Sequence, residues 1–179
     1  MAHVKVVRRS MRPEEWTDLR FVWLQRGIYE EKFEITDLEI RDARQISEDQ
    51  YEYYSDEYRP LKKDDMYFTP DGTAFIRGHV QIPAHMKGKN IYFTLHTAAE
   101  MIVKINGKYV GGVDPNRERI LLNPYIDSDD LTIEIEAYNR SKPDDERNPA
   151  SLAHRGCRQI FEGAYLATIR DNVQSLVYD

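Results

Sequence analysis

Between Thr73 and Asp114 the chain reads TAFIRGHVQIP, NIYFTLHT and EMIVKINGKYVGGVD, three runs in which apolar and polar positions alternate. Ile76, Val80 and Ile82 fall on one face with Gly78 between them, and Arg77, His79 and Gln81 on the other. Period-2 spacing of this kind is what a strand with one buried face requires. Ile91, Phe93 and Leu95 repeat it, as do Met101, Val103 and Ile105. Asn106-Gly107 follows at once, and such a pair tolerates the positive φ angles of a type I′ turn, so a hairpin is predicted here. Leu131, Ile133, Ile135 and Ala137 add a strand whose Thr132, Glu134 and Glu136 face water. Phe33, Ile35, Leu38 and Ile40 suggest extended structure interrupted at Thr36-Asp37, and FEGAYLATI reads as a last strand. Short antiparallel strands at this spacing predict a mainly β fold, a β-sandwich or jelly roll.

Helical signals stand at both ends. Ser10 can cap, Pro13 suits a first turn, and Glu14 and Glu15 lie where the helix dipole favours negative charge. Trp16, Leu19, Val22 and Trp23 then share a stripe that Gly27 ends. Two tryptophans on such a stripe are expected as core or interface anchors, because the stripe must be buried on the sheet or on another part of the protein. At the other end Asp171 can cap a helix carrying Val173, Leu176 and Val177. So short a helix is marginal in water unless something packs on it. It either docks on the sandwich or leads into a further domain, and both explanations stay open. The expected division is an N-terminal helical arm over residues 1–32, a sandwich over 33–169, and the start of a helix over 170–179. Trp16, Trp23, Val173, Leu176 and Val177 become the candidate interface residues.

Two polar stretches interrupt the pattern. Ile46 to Asp65 is acidic and reads as a long connection laid over the surface, and Ser141 to Gln159 reads as a second. Connections of this length are often functional or contact another domain; a solvated surface is the expected reading. The first contains YEYYSDEYRP, a cluster among twelve tyrosines. Such a cluster can stack on sugars or fill a domain interface, with ordinary packing as the expectation.

With 179 residues, 41% hydrophobic and 31% charged, the chain suits one domain with some extra and can bury a real core. A net charge of -6 leaves no basic footprint, which argues against nucleic acid or an anionic membrane as partner. No apolar run has the length of a membrane span, and MAHVKVVRRS lacks the apolar core of a signal peptide. Cys157 stands alone, so no intrachain disulfide can form, and a reducing cytoplasm is the expected location.

No catalytic, cofactor-binding or metal-ligating set emerges. His3, His79, His85, His96 and His154 form neither HExxH nor an i, i+4 helical pair. HRGC places His154 three residues before Cys157 with nothing to orient the pair. GxSxG, GxGxxG and the P-loop are absent. Glu100, Asp114 and Glu162 sit at strand ends or in strands, where they can be structural partners as readily as acid–base residues.

Several segments nonetheless have a familiar order. YRPLKKDD precedes DGTAFIRGHVQIP, and NIYFTLHTAAEMIVKINGKYVGGVD follows with Glu100, the Asn106-Gly107 turn and Gly112 to Asp114. AYLATIRDNVQSLVYD completes the series. Over roughly residues 10 to 179 this resembles the N-terminal domain of glycoside hydrolase family 38 α-mannosidases, in their cytosolic and bacterial branch. Ala74-Phe75-Ile76 departs from the more aromatic strand opening often seen in that family. The resemblance implies a galactose-binding-like jelly roll placed before an α/β catalytic barrel, a helical bundle and further β domains. It implies a parent enzyme of mannose metabolism, a homo-oligomer, that hydrolyses α-mannosides with retention using zinc and an Asp nucleophile. Zinc and nucleophile belong to the next domain, and no position here matches their motifs. The expected partner is therefore the chain's own catalytic domain, which this domain supports at the substrate entrance or an oligomer interface. A free-standing carbohydrate-binding module of the same fold is the alternative. A scaffold using the Ile46–Asp65 segment for protein contacts is a third, and fold alone does not separate them.

Overall fold

The computed structural model describes residues 27–65, 72–95, 99–114, 117–138 and 161–178. The stripe with Trp16 and Trp23, the Ser141–Gln159 connection, and His3, His96, His154 and Cys157 lie outside the described residues. Contacts divide the chain into two units, Glu31–Thr168 and residues 1–30 with 169–179.

The alternating runs form strands. These are β1 (Tyr29–Ile35), β2 (Asp37–Ser47), β3 (Gln50–Tyr53), β4 (Arg59–Pro60), β5 (Thr73–Gln81) and β6 (Tyr92–Leu95). After them come β7 (Glu100–Ile105), β8 (Lys108–Val113), β9 (Arg119–Leu121), β10 (Asp130–Tyr138) and β11 (Ala164–Ile169). One sheet runs β1-β11-β6-β9, and the other β3-β2-β5-β10-β7-β8 with β4 beside β2. The pairings within the larger sheet are antiparallel. A mainly β sandwich of two sheets is therefore the architecture, as the alternation predicts.

The faces follow the same alternation. Ile76, Val80 and Ile82 are buried while Arg77, His79 and Gln81 are exposed. Met101, Val103, Ile105, Leu131, Ile133, Ile135 and Ala137 are buried too, and with Phe93, Leu95 and Leu166 of the smaller sheet they join one cluster. Removing each of these side chains larger than alanine from water contributes about 1.5–3 kcal/mol. Thr94 breaks the rule, being buried beside Phe93 on a strand paired on both sides by β11 and β9. Asn106 and Gly107 take φ angles of 50° and 74° and turn β7 into β8, as an Asn-Gly hairpin should.

The Ile46–Asp65 segment differs from a bare surface connection. β2 continues to Ser47, turns through Glu48-Asp49 with Asp49 at φ 57°, and pairs with β3 so that Ser47 opposes Gln50. β4 then returns against Glu39 and Ile40. β3 lies at the sheet edge with no fully buried residue, so no apolar alternation marks it. Residues 29–32 also differ from expectation, belonging to β1 and not to a helical arm.

In the other unit, helix α1 (Asp171–Tyr178) begins where Val173 and Gln174 donate backbone N–H groups to Arg170 O, at 3.0 and 2.9 Å. Arg170 thus holds the cap position expected of Asp171, which sits in the first turn where the dipole still favours its charge. The Arg170 guanidinium donates to the carbonyls of Gly27 (2.7 Å) and Tyr29 (3.0 Å), fixing the chain ahead of β1.

Candidate functional site

Two surface features of the Glu31–Thr168 unit carry the groups from which recognition is built. The first comes from the tyrosine-rich segment. β3 pairs with β2 so that Tyr53 opposes Ala43 and Tyr51 opposes Gln45. Both rings meet Phe75 of β5, Tyr51 edge-on at 4.9 Å and Tyr53 tilted at 5.5 Å between centroids. Arg41 lays its guanidinium over Tyr53 at 3.5 Å and near Tyr58 at 4.9 Å, while Arg77 covers Tyr58 at 4.0 Å. Arg77 also pairs with Glu39 at 2.7 Å. Tyr51 donates its hydroxyl to Glu136, and that bond, aided by burial and by the Glu136 charge, pushes the phenol up to about 12. Arg41 Nε and Asp42 Oδ1 are buried without a hydrogen-bond partner among the described residues. Tyr53 and Tyr54 stay exposed. The cluster is thus partly packing, as expected, and partly an open aromatic surface held in place by two arginines.

The second feature is an open cleft of about 500 Å³ at one end of the sandwich. It lies where the single-residue link Thr36 joins β1 to β2 and where Ile82-Pro83 follows the end of β5. The link and the strand end meet because β2 pairs with β5, placing Asp37 opposite His79. Ile35, Val80 and Ile82 form a buried floor, and Phe33 stands 40% exposed above it. His79 is held by Asp130 at 2.5 Å and Lys87 by Asp129. Among the described residues, the side chains of Glu34, Thr36, Asp37 and Gln81 have no hydrogen-bond or ion-pair partner.

Other residues singled out by the sequence are dispersed. Asp114 accepts from Arg117 N at 3.0 Å and closes a turn. Glu100 opens β7 opposite Tyr138, and Glu162 offers its backbone carbonyl to the Tyr165 hydroxyl at 3.1 Å. Val173 is half-buried on α1; Leu176 and Val177 lie on the same helix with side chains outside the described set. No group of three or more His, Cys, Asp or Glu side chains able to hold a metal occurs among the described residues. No described helix is long and apolar enough to cross a membrane. The cleft carries no sequence signal, because Phe33 shares its strand parity with buried Ile35 and reads as core.

No family model and no curated protein matches this sequence. Among solved structures the chain is similar to the β-D-glucuronidase of Dictyoglomus thermophilum, at 16% identity and TM-score 0.43, over 78% of this chain and 28% of that one. It is also similar to a calcium binding mutant of Bacteroides uniformis β-glucuronidase 2, at 16% identity and TM-score 0.46, over 76% of this chain and 18% of that one. The chain therefore spans less than a third of either.

Proposed function

We propose that this chain is the non-catalytic N-terminal β-sandwich domain of a zinc-dependent α-mannosidase of glycoside hydrolase family 38. What supports the reading is the order in which its pieces occur. β5 leads into Ile82-Pro83, β7 and β8 turn at Asn106-Gly107, and β11 runs through Arg170 directly into α1. Those are the segments whose sequence carries the resemblance. The domain supports its catalytic neighbour in the cytoplasm, at the substrate entrance or in a homo-oligomer interface, without touching the scissile bond. Trp16, Trp23, Val173, Leu176 and Val177 are the residues assigned to that docking. Exposed Tyr53, with Arg41 over its ring, and exposed Tyr54 add a surface of the composition that interface centres favour.

The test is the activity of the complete gene product on aryl α-mannosides, with and without a chelator. Hydrolysis that a chelator abolishes and added zinc restores is the expected result. A complete gene product that leaves α-mannosides intact under these conditions overturns the reading.

A further inference from the structure

We infer that the cleft beside Phe33 is a binding site for a neutral saccharide ring. Its volume of about 500 Å³ lies within the span of roughly 300–1,000 Å³ usual for small-ligand sites. Its composition has the two parts such a site needs. The floor is apolar, made by buried Ile35, Val80 and Ile82, and Phe33 supplies a phenyl ring to the lining. A phenyl ring left 40% exposed over an apolar floor offers the C–H face of a pyranose a partner it lacks in water.

The rim is polar and uncommitted. The side chains of Glu34, Asp37, Thr36 and Gln81 have no hydrogen-bond or ion-pair partner among the described residues. Carboxylates accept only, and adjacent sugar hydroxyls can donate to both oxygens of one of them; an amide both donates and accepts. The contrast with the two basic groups of the lining decides the ligand's charge. His79 and Lys87 are already held by Asp130 and Asp129, whereas Glu34 and Asp37 have no ion-pair partner among the described residues. The cleft therefore repels uronic acids and sugar phosphates and accepts neutral rings. A metal ion is the other ligand that carboxylates invite, yet they assemble no set of three here.

Rigidity favours the site as well. Asp37 is locked opposite His79 and Gln81 opposite Asp130, and the Ile82 N–H donates to Asp129 O at 2.7 Å. Groups fixed on paired strands lose little entropy when a ligand arrives. The inference does not depend on the reaction proposed above, because binding is read in this chain alone; its failure leaves the mannosidase reading standing.

The experiment is an amide-resolved NMR titration of the full chain with D-mannose, D-galactose, α-mannobiose and D-glucuronate. At least one neutral sugar should saturate with a Kd on the order of 1 mM, moving amides of residues 33–37 and 79–83. Glucuronate should bind more weakly. Phe33→Ala and Gln81→Ala should each weaken binding by about tenfold with unchanged melting curves, and Tyr54→Ala, away from the cleft, should leave it unchanged. The proposal is overturned if no neutral sugar saturates up to tens of millimolar. Shifts that map elsewhere, equal or tighter glucuronate binding, or cleft variants that bind like the parent chain overturn it too.

Discussion

Gly78 shows how a single position can be set by its neighbour's backbone. It lies mid-strand in β5, opposite Leu38 on β2 and Ile133 on β10. A Cβ there would fall inside van der Waals contact with the Asp37 carbonyl oxygen and the Leu38 Cδ2 atom. Leucine can rotate, but the Asp37 carbonyl belongs to the backbone that carries the cleft rim. Gly78→Ala should therefore cost about 1–3 kcal/mol, the usual penalty for overpacking, and lower Tm by several degrees. An unchanged thermal melt would mean that β2 shifts freely, against the rigidity argued for the cleft. Tyr51 makes a second case, one of charge and not of space. Its phenol, pushed up to about 12 chiefly by the bond to Glu136, holds its proton more tightly folded than unfolded. The stabilisation is complete below the ordinary phenol value near 10 and is lost as pH rises from there towards 12. A spectroscopic phenol titration should show a late-ionising tyrosine that Tyr51→Phe removes.

At the scale of elements, the Asn106-Gly107 turn was legible because its dipeptide states its own dihedral angles. What the pattern does not state is where the Asn side chain goes. Asn106 Oδ1 accepts from Thr132 N at 2.8 Å and from Thr132 Oγ1 at 3.2 Å, fastening the hairpin tip to β10. Its amide donates to Asp127 at 3.3 Å, and Lys108 reaches the same carboxylate at 2.9 Å. Asn106→Gly keeps the turn but loses the fastening, and should cost about 1 kcal/mol in urea unfolding. Asn106→Ala forces a non-glycine residue without a side-chain amide into positive φ and should cost more. Asp127 records the same network. The Lys108 bond, then its charge, then Asn106 hold the Asp127 carboxyl below the usual range, so its favourable contribution is present at neutral pH and lost as pH falls through that lowered value. Lys108→Ala should return the Asp127 titration upward, as carboxyl NMR would show. β3 and β4 were not legible for the opposite reason: edge strands with exposed residues on both faces need no alternation, so polar composition conceals them.

On the scale of the whole molecule, alternation tells which face of a strand is buried but not which strand lies beside it. The order β3-β2-β5-β10-β7-β8 pairs β5 with β10 across some fifty residues of sequence, and both candidate surfaces depend on that order. YEYYSDEYRP was visible as a cluster, but its contact with Phe75, Arg41 and Arg77 arises only because β2 sits between β3 and β5. The cleft likewise exists only because the Thr36 link and the end of β5 share one pairing. Such dependence has a measurable consequence in hydrogen exchange. β10 is bonded on both sides, by β5 and β7, and β5 by β2 and β10, while each buries one face in the common cluster. Their amides can open only when the sandwich does, so Ile76–Val80 and Leu131–Ala137 should exchange at the rate set by global unfolding. β3 and β9 end their sheets, bonded on one side only, and their amides should exchange through local fraying, orders of magnitude faster. Exchange in β3 as slow as in β10 would show that the tyrosine edge belongs to the cooperative core. Its exposed rings would then be the outer layer of that core, and no longer a surface available to a neighbour.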